Sequence, residues 1–339
     1  MGGAERPVPG LAWRRWAPAW LLAGWAAWRR RQGRYDQASL ALRHAAWIKS
    51  PQSAIRLCQL ALFRRDLGRP LPRRWVAPLQ TALPTLPLAL RRRAIGLLAE
   101  AAPQVLPSLP TAWVDDAAGS QPGVSPFGGR ASLPDPAGTH REAFAHWLRA
   151  RCAQGGVCVV GNAAGLAGQG LGPRIDAHAA VLRFNRWQGA PARHDDTGQR
   201  LDVWVVAPDL PPQPIPEGLR WAIVSGPDPR FLMRQWALAD QLTAAGVQVL
   251  TVPLPVWRRL VQALKAPPSA GLLVLAWLQQ LLGEEAGLTV AGIGWGRAAS
   301  GRHHLLLGNR GIGRRHDWAA EAACMARWRG RGLRDLAPP

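Results

Sequence analysis

The chain has 339 residues, 48% of them hydrophobic, and a formal net charge of +21. That length holds one large or two modest domains, and that apolar content supports a core, so global disorder is excluded. Residues 1–110 carry 18 Lys/Arg against 4 Asp/Glu, a balance of +14; the remainder has 24 against 17. Nearly all the cations are arginines, Lys49 and Lys265 being the lysines. With abundant Ala, Gly and Pro, this points to a GC-rich coding bias, so charge alone names no partner. The basic third admits anionic lipid, glycan or nucleic acid. No zinc spacing, RNP motif or base-reading basic helix accompanies it, and no nucleic acid is expected. Cys58, Cys152, Cys158 and Cys324 show no C-x-x-C and no metal-ligand spacing. Without a disulfide framework a reducing compartment is favoured. The expected location is the cytoplasm, with the inner membrane surface open as a place of peripheral contact.

Residues 11–31 set Trp13, Trp16, Trp20, Trp25 and Trp28 between arginine clusters. The uncharged core, Trp16 to Trp28, is short for a membrane span, which needs roughly 20 apolar residues. A helix packed on its neighbours and a helix at a membrane interface both fit; a signal anchor fits less well. Residues 33–66 read as a helical hairpin, with Pro51 starting its second helix and Gly68 ending the segment. Leu86 to Ala102 reads as a further helix. Residues 1–102 are therefore expected to form a basic, Trp-rich helical region.

Residues 103–138 are rich in Pro, Gly, Ser and Asp and read as a linker. Thr139 to Glu142 has capping-box spacing and should start a helix ending near Cys152. From 157 on, strand candidates at 157–161, 179–184, 202–206, 220–225, 247–252 and 289–293 alternate with helix candidates at 230–245, 255–265, 270–282 and 317–328. Alternation of this kind predicts a mainly parallel sheet covered by helices, with ligands at the carboxyl ends of the strands. Residues 139–335 are the expected catalytic domain.

The most informative stretch is Val157 to Trp187. An apolar run ends at Gly161-Asn162, five glycines follow (Gly161, Gly165, Gly168, Gly170, Gly172), then Arg174-Ile175-Asp176 and Arg183-Phe184-Asn185. A buried strand emptying into a glycine-rich turn brings bare backbone N–H groups near a ligand, an arrangement suited to phosphate. Strict G-x-G-x-x-G spacing is absent. A NAD reading would need an acidic residue about 20 residues on, and Asp195 and Asp196 are candidates by distance alone.

Further on, Pro267-Pro268-Ser269-Ala270-Gly271-Leu272-Leu273 opens an apolar helix with Ser269 at the cap. Thr289 to Ile293 then leads to Gly294-Trp295, and His316-Asp317-Trp318-Ala319-Ala320-Glu321 lies near the end. Together these stretches resemble the large, small and very small motifs of the family-29 sialyltransferases, in a bacterial-type version. The resemblance runs over roughly residues 156–322. Asp196-Thr197-Gly198-Gln199-Arg200 is similar to that family's D-x-G-x-[RK] continuation.

The resemblance implies a GT-A-like variant of the α/β class, Rossmann-like, preceded by the small helical region. It implies an inverting transfer of sialic acid from CMP-sialic acid to a hydroxyl of a glycan or glycolipid. Asn162 and Asn185 would hold phosphate and ribose; Ser269, Ala270 and Gly271 would clamp the nucleoside; Trp295 would line its pocket. His316 would be the base, and His304 or else His303 would meet the leaving phosphate. A neutral imidazole suits a base, and a helix N-terminus disfavours its cation. No cofactor is implied. The chain contains no D-x-D, and a monophosphate leaving group can be met by His and backbone N–H, so no metal is expected. Animal members carry Cys at the Val157 position and a partner Cys near Leu282, and Ser at the Ala163 position; this chain has none of the three. Transfer of another CMP-activated sugar such as Kdo, or non-catalytic binding of a nucleotide or nucleic acid, stays open.

Overall fold

The computed structural model describes residues 16–32, 34–118, 139–186, 193–208, 210–227, 237–283, 287–294 and 316–336. The chain opens with α1 (Ala19–Arg31), α2 (Gln37–Ile48) and α3 (Ala54–Asp66). It continues through α4 (Val76–Ala82), α5 (Leu88–Ala101) and α6 (Thr111–Ala118). Asp36 caps α2 by accepting from Ser39 N at 2.8 Å. The helix expected to start at Pro51 starts at Ala54, and Ser53 caps it by accepting from Arg56 N. A free hydroxyl satisfies an orphan N–H of the first turn, which a proline ring cannot do.

The stretch read as a linker from 103 is helical as far as Ala118. A 3-10 turn over Pro103–Ser108 leads into α6. Leu106, Leu109, Val114 and Ala117 are buried in the same core as Leu79, Leu83, Ile95 and Leu98. Proline at a helix start keeps its intended φ and gives up no bond, so the Pro-rich composition concealed four apolar anchors. Residues 119–138 lie outside the described residues.

Packing explains only part of α1. Leu22 and Ala26 bury against Leu42 and Ala46 of α2. The other face holds Trp20, Leu21, Trp25 and Trp28, all exposed, with Trp16 just ahead at 88% exposure. Among the described residues no helix is long and apolar enough to cross a membrane.

The second half begins with α7 (Thr139–Gly155), β1 (Val157–Val160), α8 (Gly172–Asp176), β2 (Ala180–Phe184), α9 (His194–Thr197), β3 (Val203–Val206) and β4 (Trp221–Pro227). It continues with α10 (Ala237–Ala244), β5 (Gln248–Val252), α11 (Leu254–Leu264), α12 (Ala270–Leu282), β6 (Leu288–Ala291), α13 (Trp318–Arg329) and β7 (Arg334–Asp335). The strands form one sheet in the order β5-β4-β3-β2-β1-β6-β7. All six pairings are parallel. The two-residue β7 was not expected; so short an edge strand has no periodicity to read.

Alternate residues of each strand enter opposite cores. Val157 and Val159 of β1 meet Phe144, Leu148, Trp277 and Met325 on one face. Cys158 and Val160 meet Leu166 and Ile175 on the other. Helices therefore cover both faces, as parallel sheets require. Leu282 packs against the cluster that holds Val157.

The helical region meets the sheet domain on α11. Glu100 of α5, buried, accepts from Arg65 of α3 at 2.5 Å and from Arg258 of α11 at 2.5 Å. The Arg65 guanidinium lies 4.9 Å from the centre of the Trp257 ring. Gly68 closes the approach: its φ is +71°, and a Cβ there would strike the Arg258 backbone.

Candidate functional site

The sheet order places the site. Strands β1 to β5 step outward in one direction, and the chain then returns to lay β6 on the other side of β1. The order thus reverses between β1 and β6, and a crevice opens at their carboxyl ends. In a parallel sheet the covering helices run back against the strands, so their N-termini return to that carboxyl edge. The N-termini of α12, leading to β6, and of α13, following it, both come there.

The loops leaving β1 and β6 are stitched together. Gly161 N donates to Ala291 O at 2.8 Å, and Ala163 N donates to Gly292 O at 2.9 Å. A Cβ on Gly161 would collide with the Gly292 carbonyl. Gly292 has φ +60°, and a Cβ there would overlap the Leu166 side chain. Two bare backbones approach where a side chain could not fit.

Both predicted asparagines stand on this edge. Asn162 Nδ2 donates to Phe184 O at 2.8 Å, tying the end of β1 to the end of β2. Asn185 has φ +51°, in the left-handed region that Asn tolerates better than most residues. Its Oδ1 accepts from Ala207 N at 2.8 Å, tying β2 to the end of β3. Trp204 Nε1 donates to the Asn185 carbonyl at 2.8 Å. Each amide offers four hydrogen-bonding positions, and these bonds occupy one on each side chain.

Ser269 caps α12, its Oγ accepting from Leu272 N. Its own hydroxyl donates to Glu321 Oε2 at 2.6 Å, and its N–H donates to Glu321 Oε1 at 2.7 Å. Glu321 is fully buried in the first turns of α13. Asp317 caps that helix through Ala320 N at 3.0 Å. Just before the cap, His316 Nδ1 lies 2.8 Å from Pro267 O. A carbonyl can only accept, so Nδ1 carries the proton and a neutral ring keeps its lone pair on Nε2. The His316 ring also packs edge-on against Trp318, centres 5.2 Å apart. Ala270 and Gly271 form the first turn of α12 beside Ser269.

Other residues of the motif stretch hold the scaffold. The Asp176 carboxylate accepts from Gln199 N at 2.7 Å and Arg200 N at 2.9 Å. The buried Arg183 donates from Nη2 to Asp176 at 3.4 Å and from Nε to Arg200 O at 2.6 Å. Arg200 in turn donates to the carbonyls of His178 and Ala179, each at 2.6 Å. Asp196 accepts from Gly168 N at 2.7 Å and Gly170 N at 2.9 Å. These bonds hold its carboxyl below the usual carboxylate range, Gly170 contributing most. Asp196, one of the two acidic residues a NAD reading would weigh, therefore clasps the glycine loop.

Trp295, His303 and His304 lie outside the described residues. Among the described residues, no group of three or more His, Cys, Asp or Glu could hold a metal. Glu321 and Asp176 were not singled out for the site from sequence. Glu321 was visible as the last residue of H-x-x-x-x-E, but nothing local says that it reaches back 52 residues to Ser269.

The sheet and its flanking helices define the class: a parallel α/β protein consistent with a GT-A-like, Rossmann-like fold. No protein-family model matches the chain, and no curated protein matches it in sequence. Two solved structures of a mammalian sialyltransferase are similar in fold, one of them in complex with Gal-beta-1-3GalNAc-ortho-nitrophenol. The complex is 18% identical, with a TM-score of 0.41 over 53% of this chain and 68% of that one. The other is also 18% identical, with a TM-score of 0.42 over 53% and 67%. So distant a likeness says nothing about chemistry.

Proposed function

We propose that the chain is an inverting glycosyltransferase that moves sialic acid, or another CMP-activated sugar such as Kdo, to a hydroxyl of a glycan or glycolipid. The observation that carries this reading is the His316 pair of contacts: Nδ1 held by Pro267 O, with Glu321 tying the same turn to Ser269. With Nδ1 donating to a carbonyl, the base would act through Nε2, next to two helix N-termini at the strand-order reversal. His316 takes the proton of the acceptor hydroxyl. The acceptor oxygen bonds to the anomeric carbon as the bond to the CMP phosphate breaks, and that electron pair leaves with CMP. The N–H groups of α12 and α13 favour the negative charge that develops on the phosphate. Asn162 and Asn185 contribute amide hydrogen bonds to phosphate and ribose. Ser269, Ala270 and Gly271 back the nucleoside, with Trp295 beside it and His304 or His303 at the leaving phosphate. No metal is required, because a monophosphate leaving group can be met by these donors.

The exposed tryptophans of α1 fit peripheral contact with a bilayer, since indoles favour the headgroup region and Arg31 continues that face. The function is tested by titrating CMP calorimetrically into the intact protein with EDTA present, then assaying CMP-sialic acid and CMP-Kdo turnover in the intact protein and His316→Asn. Loss of about 10²–10⁴-fold in turnover with CMP affinity retained is expected. A protein that ignores CMP is not such a transferase.

A further inference from the structure

The helical region holds an open cavity of about 410 Å³, far from the strand-order reversal in sequence and lined by α1, α2, α3 and α5. Four arginines line it, Arg30, Arg31, Arg43 and Arg93, together with Tyr35 and Gln59. Arg43 is only 7% exposed. Its Nε has no hydrogen-bond partner. Its Nη2 reaches the Ala26 carbonyl at a long 3.4 Å, and its guanidinium lies 4.9 Å from the Phe63 ring centre. The carboxylate that comes closest to the cluster is Asp66, 3.5 Å from Arg30. Burial, and then the like charge of Arg30, push the Arg43 guanidinium down to about 10. Asp66 offsets part of this, but a buried cation with an unused donor, crowded by further cations, stays costly until a further counter-charge arrives.

We propose that this cavity binds a phosphate group. Guanidinium forks match tetrahedral oxyanions through paired N–H donors. The Tyr35 hydroxyl and the Gln59 amide supply neutral donors of suitable length. Such a group comes either free or soluble, or as the headgroup of an anionic lipid. The second source has geometry in its favour: the cavity-lining side of α1, at Ala27, Arg30 and Arg31, adjoins the exposed side that carries Trp20 and Trp28.

The test uses the full chain in phosphate-free buffer. Inorganic phosphate should raise the melting temperature, and sodium chloride at matched ionic strength should not. Arg43→Met should weaken calorimetric phosphate binding at least about tenfold, the scale of one lost charge-assisted pair. CMP affinity should stay unchanged, which separates this site from the sheet edge. In chloride alone, Arg43→Met should melt no lower than the parent, because a buried charge only partly compensated by Asp66 has gone. If that variant does not fold, Arg93→Gln carries the same comparison. Vesicles of phosphatidylcholine with and without phosphatidylglycerol distinguish the sources. Arg43-dependent binding to the anionic vesicles without a response to soluble phosphate assigns the site to lipid. Equal responses to phosphate and chloride with no Arg43-dependent vesicle binding overturn the proposal. So does phosphate affinity that survives in Arg43→Met and Arg93→Gln.

Discussion

Glu321 accepts two hydrogen bonds from Ser269, one from its N–H and one from its hydroxyl. The N-terminus of α12 is thereby locked to the first turns of α13. Glu321→Gln keeps the shape, removes the charge and disrupts one of the two bonds. A hydrogen bond to a buried charged group contributes about 1.5–3 kcal/mol, so stability in urea should fall by about that much. Turnover should fall with it, because His316 rides on the same turn. Undiminished stability would mean that the carboxylate is not the link between the helices.

Asn185 combines a left-handed backbone with a side-chain bond across β2 and β3. Asn185→Gly keeps the backbone comfortable and removes only the amide. Asn185→Ala also adds strain of about 1 kcal/mol. The glycine variant should therefore melt above the alanine variant, and both should lose CMP binding. CMP binding equal to the parent in the glycine variant would confine Asn185 to a structural part.

Asp196 holds the glycine loop through the N–H groups of Gly168 and Gly170. Its folded-state pKa lies below the ordinary 3.8, for which the bond from Gly170 is the first cause. The carboxylate's contribution is thus fully present above pH 3.8 and is lost as pH falls through the lower folded value. Amide resonances of Gly168 and Gly170 should shift together over that acid range. In Asp196→Asn the shared acid transition should vanish; if it persists, another group drives it.

Glu100 is buried between Arg65 and Arg258 and so joins the helical region to α11. Removing one partner of a buried pair costs about 3–5 kcal/mol. Glu100→Ala should lose stability on that scale and increase proteolytic cleavage between the two regions. Replacing Arg258 alone by Met should cost less, because Arg65 still satisfies Glu100. Equal losses in the two variants would contradict this hierarchy.

Much of the sheet could be read along the chain. Runs such as Val157 to Val160 and Gln248 to Val252 are nearly continuous in β-branched or aliphatic residues, as strands buried on both faces must be, and Ser269 announces α12 by cap chemistry alone. These are local signals, set by steric preference and by the unpaired N–H groups of a helix start. The motif residues of the site were legible as types and spacings for the same reason. What no local pattern contains is the order of the strands. The reversal between β1 and β6 makes a crevice of two loops separated by more than a hundred residues, and it turns Glu321 from one acidic residue among many into the partner of Ser269. Likewise Leu106 and Val114 read as isolated apolar residues in a Pro-rich stretch until α5 supplies the surface that buries them. Burial depends on which segments meet, and the free energy of that meeting is shared among residues far apart in sequence. The sequence by itself therefore determined the elements and the chemistry available at their ends. Only the tertiary structure decided that Asn162 ties β1 to β2, that Glu321 locks Ser269 to α13, that Asp196 serves the loop, and that four arginines line one cavity.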